Sequence, residues 1–124
     1  MTLPKRLQGV TLQVGVSDLA RARAFYDELF GDEPDFAAAD DFQEYEAHPG
    51  FWFQITTRIR PVNLRRLRFG VADINGVRNA VVAMGCSVSE TGELPGVVAW
   101  CDFSDPDGNP LGLYQDLVTH PELS

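Results

Sequence analysis

The most constraining feature of this sequence is a strand-helix pattern that occurs twice. Residues 10–16 alternate apolar and polar side chains, as in a half-buried strand, and Asp18 then stands where an N-cap would begin a helix. Through residues 19–30, apolar side chains recur at helical spacing. Residues 66–85 repeat this arrangement at an offset of 55 positions, which superposes Asp73 on Asp18. The chain is therefore predicted to contain two copies of one structural unit.

Three further strands are predicted in each copy. Alternation, aromatic and β-branched residues, and turn signals between them place the strands of the first copy at 34–39, 42–47 and 51–57. In the second copy, the strand at 66–72 and the helix at 74–84 precede strands near 86–90, 97–103 and 111–117. Each copy thus has the order strand, helix, strand, strand, strand.

This order predicts an α+β fold built of two βαβββ modules. Each amphipathic helix covers one face of its sheet, and two curled sheets side by side would form a curved, cup-like mixed sheet with the helices outside. The 124 residues are expected to form a single domain, with module one at about 8–57, a linker at 58–64 and module two at about 65–118. The inside of the cup is the expected binding pocket.

Composition limits the classes of function. A formal net charge of −8 argues against general binding to nucleic acid or to anionic membranes. No window approaches the roughly 20 apolar residues of a membrane span, and the first nine residues lack the apolar core of a signal peptide, so a cytoplasmic location is expected. The two cysteines, Cys86 and Cys101, have no metal-ligand spacing, and Cys101 is interpreted as a buried small residue.

Basic residues are concentrated in one segment. Five of the ten lie between positions 58 and 68, namely Arg58, Arg60, Arg65, Arg66 and Arg68. The first three are interpreted as a solvated linker, whereas the patch as a whole could also face an anionic group.

Three motifs make the chain resemble a known family. They are V-x-D-L-x-R-A-x-x-F-Y at 16–26, F-G-V-A-D-I at 69–74 and F-S-D-P-D-G-N at 103–109. Together they resemble the vicinal oxygen chelate superfamily, which includes glyoxalases, bleomycin-resistance proteins and extradiol dioxygenases. The resemblance covers nearly the whole chain, and it implies the doubled fold, a small-molecule ligand and a homodimer.

Members of this superfamily that depend on a metal hold it with His, Gln or Glu on particular strands. Carried over by position, those sites are Thr11, Arg66 and Gly112, none of which carries a usual ligand side chain. Neighbouring positions do not restore the set, and His48 and His120 fall in a turn and in the tail. The resemblance therefore implies the branch without a metal, with no cofactor.

Strand parity identifies which side chains face away from the helices. If the most apolar row of each strand faces its helix, the opposite row supplies the candidate ligand-binding residues. These are Gln13, Trp52, Gln54, Arg66, Arg68, Trp100, Asp102 and Tyr114. Aromatic walls with a few directed polar groups are typical of sites for planar or amphipathic organic molecules, and an arginine there could pair with a carboxylate, phosphate or enolate.

Other interpretations of these residues stay open at this point. Trp52 and Trp100 could lie in a core or a dimer interface, and Arg66 with Asp102 could form a structural ion pair. No catalytic triad can be assembled, and Asp102 with Tyr114 is the least implausible acid-base pair. No catalytic residue is therefore assigned.

Three functions follow, in order of preference. The first is a metal-independent small-molecule binding protein of the glyoxalase or bleomycin-resistance type, which sequesters an aromatic or amphipathic compound, as in antibiotic resistance. The second is a metal-independent isomerase, cyclase or lyase, in which an arginine stabilises an oxyanion. The third is a divergent metal-dependent lyase or dioxygenase. The expected partners are a small-molecule ligand and a second copy of the chain, without nucleic acid or membrane.

Overall fold

The computed structural model of the chain describes residues 9–61 and 66–118, apart from the side chain of Ala38. The elements of the first unit are β1 (Val10–Gly15), α1 (Leu19–Phe30), β2 (Phe36–Ala39), β3 (Phe42–His48) and β4 (Phe51–Thr56). The elements of the second unit are β5 (Leu67–Gly70), α2 (Ile74–Ala83), β6 (Gly92–Leu94), β7 (Val98–Ser104) and β8 (Pro110–Asp116).

The two units have the same sheet topology. The strand order is β1-β4-β3-β2 in the first sheet and β5-β8-β7-β6 in the second. In each sheet one parallel pair, β1 with β4 or β5 with β8, is followed by antiparallel pairs. The predicted α+β class with two βαβββ modules is confirmed. The chain divides into compact units Met1–Val62 and Asn63–Ser124, a boundary that falls within the predicted linker.

Both helices begin as the sequence predicts. The carboxylate of Asp18 accepts a hydrogen bond from the backbone N–H of Arg21 at 3.1 Å, and that of Asp73 accepts one from Gly76 at 3.2 Å. These bonds satisfy backbone donors that have no partner within a first helical turn. Gly31 ends α1 in the left-handed conformation, with φ of 74°.

Each helix packs on one face of its own sheet. In the first unit, Tyr26 of α1 is fully buried. The centre of its ring lies 4.8 Å from the centre of the Phe53 ring and 6.3 Å from that of the Tyr45 ring. In the second unit, the buried side chains of α2, β7 and β8 form the core. They are Ile74, Val81, Ala99, Cys101, Phe103, Leu111 and Leu113. Neither described helix is long and apolar enough to cross a membrane.

The prediction of a strand at 86–90 is wrong, because that segment is irregular and the second strand of the second unit is β6 instead. One backbone bond, from the N–H of Ser89 to the carbonyl oxygen of Asp102 at 2.9 Å, joins the segment to β7, and side chains supply the other contacts. The Arg78 guanidinium donates to the carbonyl oxygens of Val88 and Ser89 at 3.2 and 3.0 Å, and the Ser89 hydroxyl accepts from the backbone N–H of Asp102 at 2.8 Å.

Candidate functional site

In each unit, the sheet face opposite the helix carries the polar and aromatic side chains; we call these the first and second distal faces. Burial follows the parity expected from the sequence: Phe53 and Ile55 are fully buried on the helix side of β4, whereas Trp52 and Gln54 between them are partly exposed. In β7, Cys101 is buried and the neighbouring Trp100 and Asp102 are partly exposed. The alternation of burial at these positions agrees with the predicted facing, although Thr56, at the end of β4, is also buried.

Strand register assembles the second distal face into two cross-strand rows. One row joins Arg68, Gly112 and Asp102 across β5, β8 and β7. The other joins Gly70, Tyr114, Trp100 and Gly92 in the order β5, β8, β7, β6. An ionic row therefore lies directly beside an aromatic row.

The ionic row is a bidentate ion pair. Arg68 Nε and Nη2 donate to the two carboxylate oxygens of Asp102 at 2.9 and 3.0 Å. This pairing holds the pKa of Asp102 below its ordinary value and raises the pKa of Arg68. Both groups therefore stay ionised near neutral pH, and Asp102 is a poor proton donor.

A second guanidinium shares the same carboxylate. Arg66 Nε lies 3.6 Å from Asp102 Oδ1, and Arg66 Nη1 donates to the carbonyl oxygens of Phe103, at 3.0 Å, and of Leu111. The predicted Arg66–Asp102 ion pair is present, but Arg68 is the closer partner. Two cations thus face one anion, and Arg66 is also fixed to the backbones of β7 and β8.

The two aromatic rings of the other row each lie over a glycine of a neighbouring strand. A Cβ built on Gly92 would lie 2.6 Å from the Trp100 ring, and one built on Gly70 would lie 2.8 Å from the Tyr114 ring. Since β6 and β5 are the two outer strands of the sheet, the rings lean in opposite directions. Tyr114 keeps 40% of its surface exposed, so this row can still contact a ligand.

The corresponding row of the first distal face carries two amides and one carboxylate. Gln13 and Gln54 are register partners on β1 and β4, and Gln54 pairs in turn with Glu44 on β3. Gln54 Nε2 donates to Glu44 Oε2 at 2.7 Å, while Gln54 Oε1 is buried without a hydrogen bond among the described residues. Trp52 lies one row away, opposite Thr11 and Glu46.

The predicted ligand-binding residues therefore fall into three groups. Arg66, Arg68 and Asp102 form one ionic cluster, beside which Trp100 and Tyr114 are neighbours. Gln13 and Gln54 are adjacent on the other unit, and Trp52 stands apart from both in its own row. Sequence analysis did not include Glu44, although the alternation of β3 places it on the same face as Gln54.

The positions that correspond to the superfamily's metal ligands do not fit a metal. A Cβ on Gly112 would lie 2.6 Å from Asp102 Oδ1 and 2.9 Å from Arg68 Cγ, so the ion pair fills the space that a glutamate would need. Arg66 is a cation, and no group of three or more His, Cys, Asp or Glu suited to a metal occurs within residues 9–61 and 66–118.

The two βαβββ units are the fold expected of the family that the sequence motifs resemble, and comparison with family models gives the same result. The family model of the glyoxalase-like domain matches residues 9–114. The chain therefore belongs to the glyoxalase-like domain family, within the vicinal oxygen chelate superfamily. No curated protein is significantly similar to it in sequence.

Solved structures with the same fold include a glyoxalase/bleomycin resistance protein, an antibiotic-binding protein and a glyoxalase-related enzyme. A glyoxalase/bleomycin resistance protein from Catenulispora acidiphila is 21% identical, with a TM-score of 0.74 over 88% of this chain and 98% of that one. TnmS3, an antibiotic-binding protein from a Streptomyces species, is 22% identical, with a TM-score of 0.72 over 94% and 99%. A glyoxalase-related enzyme from Fulvimarina pelagi is 18% identical, with a TM-score of 0.71 over 91% and 89%. At these identities the likeness is one of fold.

Proposed function

We propose that this chain is a metal-independent small-molecule binding protein, and that it sequesters an aromatic or amphipathic compound with an anionic group. The second distal face supplies Arg66, Arg68, Asp102, Trp100 and Tyr114. On the first unit, Gln13, Trp52 and Gln54 are proposed as further ligand contacts.

The observation that carries the proposal is the excess of positive charge beside the aromatic row. Two guanidinium groups share the Asp102 carboxylate, so these three described groups together carry a net charge of +1 in a protein whose formal net charge is −8. A guanidinium binds a carboxylate through parallel N–H donors, and a neighbouring ring can stack on a planar body. A flat compound with one acidic group satisfies both features at once.

Two further observations favour binding over catalysis. Asp102 is held ionised by Arg68, which makes it a poor general acid, and the positions of the superfamily's metal ligands carry Thr11, Arg66 and Gly112. The same fold occurs in TnmS3, which binds an antibiotic, so the scaffold can hold such a ligand in at least one protein.

The direct test is a fluorescence titration with two matched probes, anthraquinone-2-carboxylate and its neutral carboxamide. The carboxylate should quench tryptophan emission and bind more tightly than the carboxamide. Substitution Arg68→Gln should weaken carboxylate binding by about 1.5–3 kcal/mol, roughly a factor of ten to one hundred, because a charged hydrogen-bonding pair is lost. The carboxamide affinity should barely change.

Matched variants show whether the fluorescence response comes from a probe bound at the second distal face. Trp52 and Trp100 are the two tryptophans of the chain, so Trp100→Phe should remove most of the quenching if the ring contacts the probe. Arg58→Gln, which removes a guanidinium paired with Asp41 at 2.9 Å on the first unit, should leave the carboxylate affinity unchanged. Equal affinity for both probes, or equal loss in the Arg58 and Arg68 variants, would contradict the proposal.

Chromatography of the probe after incubation separates sequestration from turnover. An unchanged, fully recovered compound is expected of a binding protein, whereas a new product would favour the isomerase, cyclase or lyase. A homodimer and a cytoplasmic location complete the proposal. Light scattering on the purified chain should give twice the monomer mass of 13.7 kDa.

A further inference from the structure

A cleft lies on the helix side of the first sheet, opposite the first distal face, between α1 and strands β2 and β3. Its volume is about 270 Å³, just below the range of about 300–1,000 Å³ that ligand pockets occupy. It is lined by apolar and polar side chains of these three elements and the turn after β2. They are Leu19, Ala20, Arg23, Ala37, Ala39, Asp40 and Gln43.

Gln43 gives the cleft an unsatisfied polar group. The residue is 9% exposed, and its Oε1 atom has no hydrogen bond among the described residues. A buried amide oxygen without a donor costs free energy that a ligand donor can recover. The terminal torsion of a glutamine side chain has a broad, roughly two-fold energy profile, so rotation of the amide can bring Oε1 to the cleft.

Arg23 gives the cleft a positioned cation. Its Nε donates to Asp27 Oδ2 at 3.2 Å, and the other oxygen of Asp27 accepts from the buried Tyr45 hydroxyl at 2.7 Å. Tyr45 thus fixes Asp27, and Asp27 fixes the guanidinium. The two Nη atoms of a guanidinium carry four more N–H donors, enough to hold a carboxylate.

These groups have the charge pattern that a zwitterion requires. We propose that the cleft binds a free α-amino acid with an aliphatic side chain. The ligand carboxylate pairs with Arg23, the ammonium group donates to the Asp40 carboxylate and to Gln43 Oε1, and the side chain packs against Leu19 and the three alanines. This site does not depend on the function proposed for the distal faces.

The test is calorimetric titration of the full chain with L-leucine and two truncated analogues. 4-Methylpentanoate lacks the ammonium group and 3-methylbutylamine lacks the carboxylate. Leucine is expected to bind, and each analogue should bind at least about tenfold more weakly, because each loses one set of charged hydrogen bonds. Absence of leucine binding, or equal affinity for all three compounds, would overturn the proposal.

Variants then locate the site. Arg23→Gln should weaken leucine binding about 10- to 100-fold, and Gln43→Met should weaken it about 3- to 10-fold with little change of volume. Arg21→Gln is the matched control, since Arg21 lies on the same helix, bonds to Ser17 and does not line the cleft. If Arg21→Gln weakened binding as much as Arg23→Gln, or if Arg68→Gln did, leucine would not be bound in this cleft.

Discussion

The two distal faces are built on the same strand framework but differ in the side chains of their central rows. Register makes Gln13, Gln54 and Glu44 of the first unit equivalent to Arg68, Gly112 and Asp102 of the second. In the first unit the central position holds an amide that bonds to the glutamate at 2.7 Å. In the second the centre is a glycine, so the outer two residues meet across it as an ion pair. Because Gly112 has no side chain, Arg68 and Asp102 on the two flanking strands can contact each other.

The next row differs in what covers it. In the first unit, the chain after β4 folds back over Gly15, where a Cβ would lie 2.3 Å from the carbonyl oxygen of Arg60. The Cζ atom of Arg58 in the same segment lies 5.4 Å from the centre of the Phe42 ring. In the second unit, the equivalent Gly70 is covered by the Tyr114 ring. One row is closed by backbone and the other by a side chain that can move. The two units therefore share a strand framework, while the row of the second unit is covered by a side chain rather than by backbone.

The largest effect is expected from alanine at the two equivalent glycines. Gly15→Ala should reduce the free energy of unfolding by about 3 kcal/mol, because the new Cβ meets a backbone carbonyl that can yield only if the segment moves. Gly70→Ala should cost less than about 1 kcal/mol, because the Tyr114 ring can rotate away and alanine lowers the entropy of the unfolded chain. Urea unfolding of both variants measures the difference. Equal losses would show that the two rows are covered in the same way.

A smaller difference is expected between the two acidic residues of the central rows. Asp102→Asn should cost about 1–3 kcal/mol, since it leaves two partly buried guanidinium groups without their carboxylate. Glu44→Gln should cost about 0.5–1 kcal/mol, because one hydrogen bond to a charged group becomes a neutral one. Urea unfolding under the same conditions provides the comparison. If Glu44→Gln were the more damaging change, the ion pair would not be the main polar contact of its face.

Much of this arrangement could be predicted from the sequence, because it depends on strand periodicity. Alternation placed Arg68, Trp100 and Asp102 on one face, and the repeated Asp18 and Asp73 located both helix starts. The choice of Arg68 over Arg66 as the closer partner of Asp102 depends on register, which puts Arg68 directly across Gly112. Periodicity alone does not contain that information.

The irregular segment 86–90 and the cleft beside α1 could not be predicted for a different reason. Both depend on side-chain contacts between residues that are distant in the sequence. The segment 86–90 has the composition of a strand, but Arg78 and Ser89 tie it down by side-chain bonds. The cleft beside α1 arises where small residues of β2 meet Gln43, and its cation is held through Tyr45, 18 positions from Asp27. Neither contact leaves a pattern in a short window of sequence.

The smallest expected effect is a pH dependence that distinguishes the ion pairs of the two units. Arg68 lowers the pKa of Asp102 and Arg58 lowers that of Asp41, so each folded-state pKa lies below the unfolded value of about 3.9. Each pair therefore contributes stability that is complete above about pH 5 and is lost as the pH falls through the folded-state pKa. The stability gap between the wild type and Asp102→Asn should accordingly be constant from pH 5 to 7 and shrink below pH 4.

Added salt should distinguish the contributions of the two ion pairs to the free energy of unfolding. The side chains of the Asp41–Arg58 pair are 49% and 59% exposed, whereas those of the Asp102–Arg68 pair are 25% and 40% exposed. Because mobile ions screen exposed charges most, 0.5 M NaCl should remove the acid-dependent effect of Asp41→Asn and retain most of that of Asp102→Asn. Urea titrations at pH 3, 4, 5 and 7, with and without salt, measure both. If salt reduced the effects of both variants equally, the Arg68–Asp102 pair would be as exposed to solvent as the Arg58–Asp41 pair. The ionic row would then have no advantage over a surface arginine for binding an anion.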